Sequence, residues 1–322
     1  MSESAAAATA DAQGKSESTG TVIVAFAMNV LIAIAKTIAA LVTSSASLVA
    51  EAAHSWADAG NEIFLVTAEH RAHKTPDAQH PAGYGREAYV WSMFAALGLF
   101  VAGAAISITH GITQLINPEP ASDFLVGYIV LALSFILEGI SFAQSVRQIR
   151  REATQYQRDF LEHVVKTSDP TLRAVFAEDA AALIGLVIAA AALGIHELTD
   201  SPIPDSIGSI LIGLLLGYVA IHLLNRNRRF LVGEEADEKV RSVAIRSLLD
   251  QPEIERVTYL RLEIVGPRML DMVAEVDLVG NQVEQAVATQ LRDLEQRVCA
   301  MSPVIVHAHV GLSVADEPSI HS

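Results

Sequence analysis

Between Ser47 and Glu62 the sequence places Glu51, His54, Asp58 and Glu62 at intervals of three or four residues, which is one face of a helix. An imidazole nitrogen and a carboxylate oxygen one turn apart can grip a single small divalent cation, and mixed nitrogen and oxygen ligation suits Zn²⁺ in a tetrahedral site. His54 and Asp58 form such a pair. Two ligands do not complete a tetrahedron, so a second helix must contribute. Glu178 and Asp179 are the candidates, at a depth comparable to that of Asp58. Neighbouring residues diverge by about 100° around a helix, so the two acids cannot both face one ion squarely. Asp179 is expected as the ligand and Glu178 as a secondary one.

Other ionisable residues fall in apolar surroundings. Counting back from the short turn at Thr43–Ala46 puts Lys36 level with His54, where it could neutralise Glu51. Glu138 reads equally as a proton-handling group or as an interhelical hydrogen-bonding residue. His110 and His222 each admit a packing role as readily as a functional one. Charged groups at bilayer depth are costly, and they mark functional positions by default.

The elements that hold these residues follow from composition. The chain has 322 residues, of which 51% are hydrophobic and only 18% charged, with a mean hydropathy of +0.36. Soluble domains carry about a quarter charged residues, so this is a membrane protein with a further part in water. A net charge of −15 argues against a nucleic-acid partner, since phosphate binding needs a basic face. The single cysteine, Cys299, excludes both a disulfide framework and a thiolate zinc cluster.

Residues 1–20 read as a disordered tail rich in Ala, Ser and acidic residues, without the pattern of a signal peptide. Six spans are expected over residues 21–230, near Val22–Val42, Ser47–Thr67, Ala88–Gly111, Phe124–Ile149, Thr171–Leu193 and Ile207–Leu224. Lys and Arg cluster in alternate connections, around Arg71 to Arg86, Arg147 to Arg173 and Arg226 to Arg229. With an even number of spans, that asymmetry puts both termini in the cytoplasm.

Residues 231–314 read as a small cytosolic α+β domain of order αββαβ, followed by a tail at 315–322. Its expected elements are a helix at Ala236–Leu249, strands at Val257–Ile264 and Leu270–Leu278 joined at Gly266 and Pro267, an amphipathic helix at Gln282–Val298 and a strand at Val304–Leu312. The second helix is expected to bury Val283, Ala286, Val287, Leu291 and Leu294 on one face. In the last strand Val304, Val306, Ala308 and Val310 are expected to alternate with Ile305, His307, His309 and Gly311.

Three stretches resemble the cation diffusion facilitator family of divalent-metal/proton antiporters. They are Ser47 to Asp58, the loop Asp77 to Glu87 with His80, Gly83, Tyr84 and Arg86, and Asn225 to Glu234. The resemblance extends from Thr21 to about Ser313. The pair Glu178-Asp179 and the run Tyr84 to Glu87 look most like the branch containing the human zinc transporter nine. The resemblance implies a homodimer in a lipid bilayer, the plasma (inner) membrane, with six spans per protomer and a ferredoxin-like cytosolic domain similar to a metallochaperone. It implies export of a divalent cation, with protons returning the other way, by alternating access.

Within that resemblance, His54, Asp58 and Asp179 match three transport-site ligands, while the fourth position is Val175, which cannot ligate. Asp77 and His80 match two ligands of a loop site whose third position is Tyr84. His307 and His309 match a pair on the last strand, where they are either accessory ligands or plain surface histidines; the corresponding upstream positions fall at Tyr259 and near Val273. No prosthetic group is implied. The expected cargo is Zn²⁺, possible also as a regulatory ion in the accessory sites; Fe²⁺, Co²⁺, Mn²⁺ or Cd²⁺ is the alternative cargo, histidine favouring zinc and its neighbours over manganese. Two rival classes stand beside the transporter: a membrane metalloenzyme, which would need an open coordination position and a general base, and a membrane metal sensor or scaffold.

Metal requires a neutral imidazole and ionised carboxylates, so its binding displaces protons from the groups that hold it. Exchange of metal for protons at one site follows from that chemistry.

Overall fold

A computed structural model describes residues 26–119, 122–280, 282–314 and 316–320. The tail read over residues 1–20, and the first residues of the first span, lie outside the described residues. Seven longer or shorter helices come first: α1 (Phe26–Thr43), α2 (Ala46–Ala72), α3 (Glu87–Ile116), α4 (Phe124–Gln155), the short α5 (Phe160–Lys166), α6 (Pro170–Thr199) and α7 (Ile203–Val232). Five of them, α1, α3, α4, α6 and α7, are long and apolar enough to cross a membrane. Helix α2 has 27 residues and the length to do so, but its acidic face lowers its hydropathy. Large apolar side chains such as Leu41, Leu125 and Leu198 point outward, as a lipid-facing surface requires.

The helices are longer than the apolar runs in the sequence. Helix α2 runs on from Thr67 to Ala72, and α7 starts at Ile203 and ends at Val232. Hydropathy marks the stretch that suits hydrocarbon, whereas the backbone hydrogen-bond ladder continues into polar sequence. Within α3, Leu99–Ala105 is π-helical, a local widening that is rare in uninterrupted helices.

One compact unit comprises residues through Val66, Phe94–Arg150 and Ala174–Leu224. Its core is built from small residues and leucines, among them Ala50, Ala57, Ala104, Leu131, Leu186, Ala189 and Leu216. Close crossing of α3 and α7 needs glycine: a Cβ at Gly213 would stand 3.0 Å from the carbonyl oxygen of Ala104. The α1–α2 turn is made possible by Ser44, whose φ is 54°. Helix α2 is capped from its own sequence at Ser45, whose Oγ accepts from Leu48 N at 3.3 Å. Asp205, in the first turn of α7, accepts hydrogen bonds from Ala46 N at 2.5 Å, Ser47 N at 3.3 Å and Ser45 Oγ at 2.9 Å, and also from Ser47 Oγ. A buried carboxylate thus satisfies the free N–H groups at the start of α2.

The second compact unit comprises Thr67–Met93, Arg151–Arg173 and residues from Asn225 onward. This unit is not one continuous stretch of sequence. Polar helix ends pack with the sheet instead: Tyr89 stacks on Phe230 with ring centroids 4.9 Å apart, and Arg268 reaches Glu152 at 2.8 Å.

This unit holds α8 (Glu238–Leu249), β1 (Ile254–Gly266), β2 (Met269–Leu278), α9 (Glu284–Met301) and β3 (Ile305–Leu312). The order is αββαβ. Strand β2 lies in the middle, antiparallel to β1 and parallel to β3; the parallel pair requires a crossover, which α9 provides. Leu260, Leu262, Met272, Ala274 and Val276 of the sheet meet Ile245, Leu248, Leu294 and Val298 of the helices.

Two expectations for this unit are corrected. Leu270 pairs with Ile305 and Asp271 with His307, leaving Val306 as an extra residue. That bulge inverts the alternation, so Ile305 is buried and Val306 exposed. Val283 is exposed because the helix begins only at Glu284, and Ala286 in its first turn is exposed as well; the buried face of α9 is Val287, Leu291, Leu294 and Val298. Within the tail, residues 316–320 run back to the sheet. Ile320 N donates to Val257 O at 2.9 Å, and Arg256 Nη1 donates to Glu317 O at 2.7 Å. Together with Ala236 N, which donates to Leu262 O at 2.8 Å, these segments occupy the open edge of β1.

Candidate functional site

Helix α2 presents its ionisable face as its spacing requires. His54 is fully buried, and His54 Nδ1 lies 3.4 Å from Asp58 Oδ1. Neither of those atoms makes a well-formed hydrogen bond, and His54 Nε2 has none either. Buried polar atoms are almost always satisfied, so a constellation of three unpaired donors and acceptors is a site prepared for something else.

One turn earlier on α2, Glu51 is fully buried beside an equally buried Lys36 of α1. Lys36 Nζ stands 3.0 Å from Glu51 Oε2 and 3.8 Å from Glu138 Oε1 of α4. An unpaired charge here would carry a large desolvation cost, which the ion pair offsets. The second oxygen of Glu51, Oε1, has no partner.

Helices α4 and α6 complete the wall. Ser141 Oγ of α4 donates to Asp179 Oδ2 at 2.9 Å, and Asn61 Nδ2 of α2 donates to Glu178 Oε1 at 3.1 Å. A cavity of about 460 Å³ opens among these helices, and Asp58, Glu138, Glu178 and Asp179 all line it. Val175, one turn before Asp179, lines it too and brings no donor atom. Glu62 sits at the same cavity, held by Asn29 Nδ2 at 3.1 Å. His54 lies behind this wall rather than on the cavity.

The acids from α2, α4 and α6 thus share one cavity, but they are not gathered into a finished coordination shell. Among the described residues, no three His, Cys, Asp or Glu side chains are already close enough to hold an ion together. Asn61, Ser141 and Asn29 are the site's polar supports that residue spacing did not single out. The signal was present for two of them: Asn61 follows Asp58 by three residues on α2, and Ser141 follows Glu138 by three on α4.

The accessory residues stand differently. In the loop before α3, Tyr84 Oη donates to Asp77 Oδ2 at 2.5 Å, and the backbone N–H groups of Gln79 and His80 donate to Asp77 Oδ1. The Tyr84 hydroxyl and these N–H groups hold the Asp77 carboxyl down to about 2. The ring of His80 lies against Tyr84, with centroids 4.2 Å apart, and its Nδ1 is 3.3 Å from Asp77 Oδ1. The tyrosine therefore fills the place of a third ligand with a hydrogen bond. On β3, His307 pairs in register with Asp271 and His309 with Val273, and exposed His309 lies 3.3 Å from Glu295 of α9. His222 stacks on Tyr218 at 6.4 Å. His110 lies on α3, away from the cavity.

The chain matches the profile of the cation efflux transmembrane domain over residues 22–232. Metal tolerance protein C4 of Arabidopsis thaliana is 35% identical over 243 residues, covering 76% of this chain and 53% of the plant protein. The human mitochondrial proton-coupled zinc antiporter SLC30A9 is 32% identical over 265 residues, covering 82% of this chain and 47% of the human one. An uncharacterized transporter, MJ0449 of Methanocaldococcus jannaschii, is 24% identical and covers 83% of this chain and 90% of its own length. The chain thus spans about half the length of the plant and human proteins.

Proposed function

The chain belongs to the cation efflux family, the cation diffusion facilitators of the sequence resemblance, and on that premise we propose that it carries a divalent metal ion, Zn²⁺, out of the cytoplasm in exchange for protons. It is an integral multi-pass membrane protein of a transporter family. The transport site in this reading is His54 and Asp58 of α2 with Asp179 of α6, and Glu178 as the secondary acid. The observation that carries the reading is the unpaired, buried His54–Asp58 pair set against a cavity whose other walls present acids from α4 and α6. The human relative is named for proton-coupled zinc exchange, which agrees with that donor set.

Proton exchange follows from the same groups. An empty site with several carboxylates cannot remain fully ionised away from water, so the acids take protons when the ion leaves and release them when it returns. The inward proton gradient then drives the ion outward. The working unit in this reading is a homodimer that alternates access, in the plasma (inner) membrane with both termini in the cytoplasm. Asp77, His80, His307 and His309 stay accessory candidates for a regulatory ion.

The test is zinc uptake into proteoliposomes under an imposed pH gradient. Zn²⁺ uptake that rises with the gradient and collapses when it is dissipated is the expected result. Binding of Zn²⁺ without flux of Zn²⁺, Fe²⁺, Co²⁺, Mn²⁺ or Cd²⁺ would overturn it in favour of a membrane metal sensor.

A further inference from the structure

With Glu178 hydrogen-bonded to Asn61 of α2, helix α6 turns a single ligand, Asp179, to the site, because Val175 stands one turn before it where a donor would complete the pair. Zn²⁺ is nearly always held by four donors. A carboxylate on another element that lines the cavity is Glu138 of α4. It lines the same cavity as Asp58 and Asp179. Its own helix is already joined to the site one turn further on, where Ser141 Oγ touches Asp179 Oδ2 at 2.9 Å. Residues three apart lie on one helix face, so Glu138 shares the face that meets Asp179.

Glu138 is also the looser partner of a shared cation. Lys36 Nζ is 3.0 Å from Glu51 Oε2 but 3.8 Å from Glu138 Oε1, at the outer limit of an ion pair. Glu51 and Lys36 are wholly buried, whereas the Glu138 side chain keeps some exposure, 13%, at the cavity. Lys36 therefore has a firm partner in Glu51 and a second one it can release.

We propose that Glu138 replaces the ligand missing at Val175, and that Lys36 is its resident counter-ion while the site is empty. The inference rests on the transport-site reading given above. When the divalent ion enters, its charge takes over from the ammonium, Lys36 stays with Glu51, and the Glu138 carboxylate turns onto the ion beside Asp58 and Asp179. On release the ammonium recovers Glu138. The lysine and the ion thus compete for one carboxylate, which ties affinity to an internal charge rather than to a fourth ligand on α6.

The experiment is Zn²⁺ titration of the purified full-length protein in detergent, with zinc X-ray absorption to count light-atom ligands. Glu138→Gln is expected to weaken binding at least tenfold and to change the oxygen ligation of the bound ion. Lys36→Met/Glu51→Gln removes the competing ammonium together with its firm partner, and is expected to tighten binding severalfold. Adding Glu138→Gln to that pair is expected to erase the gain. If Glu138→Gln does not fold, the gain in Lys36→Met/Glu51→Gln decides alone. Wild-type affinity and ligation in Glu138→Gln would overturn the proposal, as would unchanged affinity in Lys36→Met/Glu51→Gln, since a merely structural ion pair predicts both. If instead the wild-type protein binds no Zn²⁺, or Asp58→Ala binds it as well as wild type, the transport-site reading itself fails, and this inference with it.

Discussion

Asn61 Nδ2 of α2 donates to Glu178 Oε1 of α6 at 3.1 Å, while the very next residue, Asp179, accepts from Ser141 of α4 at 2.9 Å. Two adjacent acids are thus held by two different helices, as their angular separation of about 100° demands. Glu178 is buried and Asp179 more open, and each accepts from a neutral donor, an amide and a hydroxyl. On the proposed reading, the more open Asp179 is the ligand and Glu178 the secondary acid.

Asp179→Asn is expected to reduce Zn²⁺ flux at least a hundredfold, and Glu178→Gln about tenfold or less. Ser141→Ala removes a supporting hydrogen bond and is expected to weaken binding by about 10-fold, the scale of supporting partners at metal sites. Initial rates of uptake at equal reconstituted protein give the ranking. A more severe loss in Glu178→Gln than in Asp179→Asn would reverse the assignment.

Lys36→Ala leaves a buried Glu51 carboxylate without its cation, a change that costs about 3–5 kcal/mol in buried pairs. Lys36→Ala/Glu51→Ala removes both charges and is expected to recover most of that loss. Thermal unfolding in detergent measures it. Equal destabilisation in the single and double variants would show that Lys36 acts by packing alone.

Asp205 caps the first N–H groups of α2 from another helix, beside Ser45. Asp205→Ala is expected to lower stability by about 1–2 kcal/mol, the range of lost caps, and Asp205→Asn by less, since the amide oxygen can still accept. Hydrogen exchange of the Ala46 and Ser47 amides reads the site directly. Unchanged protection in Asp205→Ala would contradict the capping role.

The Asp77 carboxyl, lowered to about 2 by the Tyr84 hydroxyl and then by backbone N–H groups, stays ionised throughout the physiological range. The sign follows: the folded loop prefers the charged acid, so this contribution is present above the ordinary value of 3.8 and is lost as pH falls through about 2. Tyr84→Phe is expected to move the Asp77 titration upward, toward 3.8, as followed by carboxyl NMR shifts. A titration unmoved by that substitution would mean that the backbone N–H groups alone set it.

Part of the candidate site is legible because its spacing is local. His54 and Asp58 share a face by helical geometry alone, and the short Thr43–Ala46 turn puts Lys36 level with His54, within reach of Glu51, which it meets at 3.0 Å. Which polar residues meet across helices was not legible, since nothing in α4 names Asp179 as the partner of Ser141. The same limit appears in the sheet unit. Order and helix content follow from periodicity, but the bulge at Val306 inverts one strand's pattern through its pairing with β2, and Ile320 finds the edge of β1 only in three dimensions. Val283 misled for a different reason: it sits in phase with the apolar face of α9, yet it precedes the helix and so never reaches the core.

The most direct test of the central claim is Zn²⁺ uptake into proteoliposomes under an inward-directed pH gradient, comparing wild type with His54→Ala and Asp58→Ala at matched amounts of folded protein. Gradient-dependent uptake in wild type that is abolished in both variants is the predicted result. Gradient-driven uptake at wild-type rate in Asp58→Ala would contradict it.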